Sequence, residues 1–246
     1  MLQGFRRTSV PPDNQGGDGE TPLLRAPCAG SVAEVLARFF LPLPADRLVV
    51  RFLRCVAGLA LFGLGISMFI VSHLGAAPWD VFHLGVAEKT GIPVGVVIEI
   101  VGFILLLAWI PLRQRLGWAT LLNAVEIGLV VLLIIDHLPV TDRLIPRLAY
   151  LAAGLACVGF GTGLYIGAGL GSGPRDGIML GLSQRGISVR VARTVIEALV
   201  LVAGIALGGT VGIGTAVFTF GIGPAVQFFL PRLRLPNDVT VLATAH

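Results

Sequence analysis

Six long runs of apolar residues dominate the pattern, at about Phe52–Ser72, Val94–Leu112, Trp118–Leu138, Leu148–Leu170, Thr194–Gly209 and Val211–Leu230. A helix needs about 20 apolar residues to cross a bilayer core. Only helices and closed barrels satisfy their backbone groups there. The pattern therefore predicts an all-α membrane protein with about six transmembrane helices. The fifth run is short and reaches the sixth across Gly208-Gly209-Thr210, which predicts a tight hairpin. Two shorter apolar stretches, Val81–Ala87 and Gly177–Ser183, follow the first and fourth spans. Neither is long enough to cross, so each is expected to be a half-helix.

The same pattern occurs twice. Arg51, Gly58, Gly63, Gly65, Leu74, Gly75, Pro78, Asp80, Leu84 and Gly85 match Arg147, Gly154, Gly159, Gly161, Leu170, Gly171, Pro174, Asp176, Leu180 and Gly181. After a one-residue gap, Gly91, Ile92, Val94, Val96, Gly117, Thr120, Ile127 and Gly128 match Gly186, Ile187, Val189, Val191, Gly212, Thr215, Ile222 and Gly223. Residues 48–139 and 147–231 are thus expected to be two membrane repeats of three spans, each with a half-helix after its first span. Three is odd, so the second copy enters the membrane from the opposite side and the repeats are inverted.

Charge agrees with that arrangement. A cytoplasmic N-terminus puts the arginines at 47, 51, 54, 113, 115, 175, 185, 190, 193, 232 and 234 inside. Only Lys89, Arg143 and Arg147 then fall outside, a strong positive-inside bias with both termini cytoplasmic. Trp79, Trp109 and Trp118 sit where interface anchors are expected, and His73, His83 and His137 near outer span ends.

Composition narrows the class. With 55% hydrophobic and 13% charged residues and a mean hydropathy of +0.88, the chain lies outside the range of soluble domains. The net charge of +4 comes from arginines that flank spans and not from a basic face with interleaved aromatics, so nucleic acid is not an expected partner. Cys28, Cys55 and Cys157 have no metal or disulfide spacing. Residues 1–47, rich in Gly, Pro and charge at their start, read as a disordered cytoplasmic tail without a signal peptide. Within it Ser31 and Glu34 have capping-box spacing, and Val32, Val35, Leu36, Phe39 and Phe40 share a helical face. That stretch reads as an interfacial helix or as an ordinary linker. Residues 232–246 read as a C-terminal cytoplasmic tail.

The sharpest local feature is the matched pair Leu74-Gly-Ala-Ala-Pro-Trp-Asp80 and Leu170-Gly-Ser-Gly-Pro-Arg-Asp176. Glycine ends a helix, proline suits the first turn of the next, and an aspartate two residues on complements the helix dipole. Asp80 and Asp176 either cap short surface helices or belong to half-helices that dip into the bundle and border a solute site. Carboxylates inside spans are costly and functional by default, which adds Glu126 with Asn123 one turn before it, and Glu99, as candidates for an ion or substrate site. Glu197 has Arg193 four residues before it, the spacing of an ion pair. Gly159, Gly163, Gly167 and Gly171 make a smooth stripe, echoed by Gly63, Ser67 and Gly75, whose expected role is contact between the two related helices. No phosphate-binding, dinucleotide, zinc-protease or hydrolase motif occurs, so neither catalysis, metal nor cofactor is expected.

At the paired LGxxPxD segments, the GIPVG and GISVR segments and Gly212–Pro224, the chain resembles the YczE/YitT-like bacterial integral membrane proteins. The end soon after Pro231 makes it more similar to the YczE branch, which lacks a soluble C-terminal domain. The resemblance implies a membrane protein and little chemistry. The expectation is a small-solute secondary transporter or permease of the bacterial cytoplasmic membrane, able to form homo-oligomers. The alternative is a membrane scaffold for a partner complex.

Overall fold

The computed structural model describes residues 39–44 and 46–235. Eight α-helices follow one another among them: α1 (Leu48–Val71), α2 (Pro78–Thr90), α3 (Val94–Leu112), α4 (Trp118–Ile134), α5 (Leu144–Gly167), α6 (Pro174–Ser183), α7 (Val189–Ala206) and α8 (Ile213–Leu233). One 3-10 turn, Ile135–His137, extends α4. The described residues contain no strand, only an isolated bridge between Phe40 and Leu116. The proposed capping box at Ser31 and the tail beyond Leu235 lie outside the described residues.

Among the described residues, five helices are long and apolar enough to cross a membrane: α1, α3, α4 with its 3-10 turn, α5 and α8. The sequence pattern called for six. The sixth, α7, has 18 residues, begins at Val189 instead of Thr194, and so takes in Arg190 and Arg193 beside Glu197. Three charges on so short a helix separate it from the other five.

At the centre α1 crosses α5. Van der Waals packing drives association of helices in lipid, and glycine lets backbones approach closely. Gly58 lies against the carbonyl of Gly161, and Gly65 against that of Gly154. These four are matched in the repeat, so the crossing is reciprocal. The stripe expected there lies elsewhere: Gly159, Gly163 and Gly167 pack on Ala225, Phe229 and Leu233 of α8, while Gly63 packs on Ile127 and Val130 of α4. Ser67 is buried and donates to the Gly63 carbonyl. A four-residue period marks a smooth face without saying which helix fills it.

The helix ends are also paired across the halves. Arg51, 0% exposed, donates from Nη1 to the Ala168 carbonyl at the end of α5 (2.9 Å). Its match, Arg147, donates to Ser72 O (2.6 Å) and His73 O at the end of α1. A cation at a helix C-terminus meets the negative end of the dipole. Arg51 also binds the Asp46 carboxylate at 3.0 Å, and this hydrogen bond holds Asp46 below the usual carboxylate range.

Candidate functional site

The short helices α2 and α6 begin where the chain turns back after α1 and α5. Gly75 and Gly171 take positive φ values of 106° and 123°, which only glycine adopts without strain. Each turn docks on a helix start of the other half. The Gly214 N–H donates to Leu74 O (2.7 Å) and the Ala119 N–H to Leu170 O (3.1 Å), again at matched positions. Thr120 Oγ1 adds a hydrogen bond to Ser172 O (2.7 Å). Pro78 and Pro174 then open α2 and α6, with Asp80 and Asp176 in their first turns.

The half-helices are held by exchange. α6 packs against α3 and α2 against α7. Trp109 Nε1 donates to Pro174 O at 2.8 Å, and its ring lies over Gly177, where a Cβ would overlap it. Gly204, at the position matched to Trp109, lets α7 approach the α2 backbone at Val81 and Phe82. Trp79 and Trp109 are 7% and 3% exposed, so these two are internal and not the interface anchors expected.

Both half-helix starts border one central cavity of about 320 Å³. Ala77, Pro78 and Trp79 form one wall, and Gly173, Pro174, Arg175 and Asp176 another. Asn123 and Ile127 of α4 contribute to it, as do Thr162 and Tyr165 of α5. The Arg175 guanidinium sits over the Trp79 ring, 5.3 Å from its centroid. Tyr165, 3% exposed, approaches Asp176 with its hydroxyl 3.3 Å from Oδ2. Arg193 and Glu197 also line the cavity, joined by the expected ion pair at 3.0 Å.

Of the five candidates for an ion or substrate site, Asp176 and Asn123 line this cavity, and Asp80 lies one residue behind Trp79 in its wall, 2% exposed. Glu126 and Glu99 do not line it. Both are partly buried, Glu126 without a hydrogen bond or ion pair among the described residues and Glu99 with its stem against Gly128. No cluster of metal-ligating side chains occurs among the described residues.

Three groups escaped the sequence reading. Arg175 counts in the sequence as one of the cytoplasmic arginines, yet it borders the cavity. Tyr165 was taken as part of an apolar run. His83 was placed near an outer end, but it is 2% exposed with Nδ1 3.4 Å from Asp80 Oδ1. The signal for His83 was its position three residues after Asp80, on one helix face. A second void of about 20 Å³ touches His83, Asn123 and Arg175, room for about one water molecule.

The two matched outer seams differ. α3 packs along α4, with Gly95 and Gly128 in contact through their backbones and no room for a Cβ on either. α7 and α8 make no comparable contact. Arg190 stands in the place of Gly95, and a Cβ on Gly223, the match of Gly128, would meet no atom within 4 Å. The cavity reaches into this second seam, between Arg193 and Glu197 on α7 and Phe218, Gly223 and Gln227 on α8.

Residues 49–231 match a family of unknown function, DUF6198. An uncharacterized protein of Haemophilus influenzae is 39% identical over 181 residues, covering 73% of this chain and 83% of that protein. The uncharacterized membrane protein YczE of Bacillus subtilis is 32% identical over 206 residues, 81% of this chain and 95% of YczE. A second Bacillus subtilis protein, the uncharacterized YyaS, is 30% identical over 181 residues, 71% of this chain and 89% of YyaS. No solved structure matches. The likeness to YczE read from the paired LGxxPxD segments therefore holds over most of the chain, which is a membrane protein and belongs to the DUF6198 family.

Proposed function

We propose that this chain is a small-solute secondary transporter of the cytoplasmic membrane, built from two three-span halves of opposite orientation with α7 as the sixth span. The observation that carries the reading is the central cavity, bordered by the starts of both half-helices and entered through one of two matched seams. Inverted repeats with interrupted helices around a central site are a common transporter construction, and irregular backbone at membrane depth is tolerated where it lines a cavity. The reciprocal contacts at matched positions support the two-fold relation.

The ends that meet support the topology of this reading. Gln114 Nε2 donates to Gln184 Oε1 (2.7 Å), Arg185 to Pro111 O, and Arg54 to Leu233 O, so the arginine-rich segments share one end. By the positive-inside rule this end is cytoplasmic. Arg193 and Gln227 lie toward it on α7 and α8, so the open seam faces the cytoplasm.

Cysteine labelling tests this. Val226 lines the cavity, whereas Val131, its match on α4, is 0% exposed in the closed seam. An impermeant maleimide applied from the cytoplasmic side is expected to label Val226→Cys at least tenfold faster than Val131→Cys. Protection of both would mean that water does not reach the cavity. The scaffold reading would then lead, with the apolar groove of about 480 Å³ beside Met68, Pro146 and Tyr150 as its docking surface.

A further inference from the structure

Two donor side chains beside the cavity have no acceptor among the described residues. Arg175 carries five N–H donors, and among the described residues its contact is the face of Trp79, with no hydrogen bond or ion pair. The Trp79 Nε1 N–H, buried, also has no acceptor among them. Of the nearby carboxylates, Asp176 takes the Tyr165 hydroxyl and Glu197 pairs with Arg193, while Asp80 Oδ1 is buried behind Trp79 without a hydrogen bond. Arg175 and Trp79 occupy the same position of the two LGxxPxD segments, so the donors meet where the halves meet. Both short helices also start there, each with its own aspartate, Asp80 or Asp176, in its first turn.

A guanidinium inside a membrane protein normally pairs with an acceptor. Its planar fork matches a carboxylate through two parallel hydrogen bonds. Phe62, Ile166, Phe218 and Ile222 give the wall an apolar part, and about 320 Å³ accommodates a small organic molecule. We propose that the cavity binds a small organic anion, its carboxylate on Arg175 and its apolar body against Phe62 and Phe218. This assignment rests on the transporter reading and names the class of solute.

The test uses the purified full chain and three probes of one shape at constant ionic strength: benzoate, benzamide and benzylamine. Benzoate is expected to raise the melting temperature by about 2–4 °C when well above its dissociation constant, and the amide and amine to leave it unchanged. The shift should vanish in Arg175→Gln and persist in part in Arg175→Lys, which keeps the charge and loses the fork. Should Arg175→Gln fail to fold, the wild-type chain decides the matter, because bound benzoate should protect Arg175 from phenylglyoxal, read by peptide mass mapping. Equal shifts with all three probes, no shift with benzoate, or undiminished binding in Arg175→Gln would overturn the anion assignment. A shift with benzylamine alone would make Asp176 the anchor and the solute a cation, with transport intact. Failure of the transporter reading itself would appear separately, as protection of Val226→Cys.

Discussion

Leucine at Gly161 is expected to abolish the folded protein in detergent, read as loss of the monodisperse peak and of a cooperative melt. A Cβ built there lies 2.5 Å from the Gly58 carbonyl oxygen and 3.0 Å from the Phe62 nitrogen. Both are backbone atoms of α1, so no rotamer change relieves the overlap and the helices must separate along their whole crossing. Even alanine at Gly161 should cost about 1–3 kcal/mol, the range for overpacking a tight interior. Gly58 faces the same constraint from the other side, with a Cβ 2.7 Å from the Gly161 oxygen. Leucine at Gly163 should cost less, since the nearest atom is the end of the flexible Leu233 side chain at 2.9 Å. Gly223→Ala is the opposite control: its Cβ meets nothing within 4 Å, and alanine in a helix is favoured over glycine by up to about 1 kcal/mol. A Gly161→Leu chain that melts like wild type would remove the α1–α5 crossing as the core of the fold.

The apolar runs made most of this fold legible, because lipid leaves a spanning segment few options. The starts of the two short helices were legible as well, from Pro and Asp at fixed offsets after a glycine. Three things were not. The stripe of Gly159, Gly163 and Gly167 announces close packing, yet its partner α8 is set by tertiary geometry; the glycines of the α1–α5 crossing were visible only as matched positions. The charges on α7 read as cytoplasmic flanking residues because local hydropathy cannot tell a loop from a helix whose one face borders a polar cavity. Arg175 and Trp79 were assigned to loop and interface for the same reason: a positive-inside count and an aromatic belt are rules about residues facing water or headgroups. Their burial against each other depends on two segments 96 residues apart. Glu126 shows the limit from the other direction, since a carboxylate with no local partner proved to lie outside the cavity.

Under the transporter reading, the difference between the two matched seams is a conformational state, and Gly128→Ala should shift it. Gly95 and Gly128 now touch backbone to backbone, with the Leu132 Cβ 2.8 Å from a Cβ placed on Gly95. A methyl on Gly128 has no room, so α3 and α4 must part, which is the arrangement that would open the cavity on the side away from the arginines. Transporter states differ by a few kcal/mol. Strain of about 1–3 kcal/mol from one methyl would move their ratio by about fivefold to 150-fold. Cytoplasmic labelling of Val226→Cys should therefore slow, by at most that factor, while Val131→Cys becomes reactive to an impermeant reagent from the opposite side. Gly223→Ala, with empty space around it, should leave both rates where they were. A folded Gly128→Ala chain with both rates unchanged would make the seam ordinary packing. Loss of fold, of the kind expected for Gly161→Leu, would make it a structural contact, and either outcome would sink the gate.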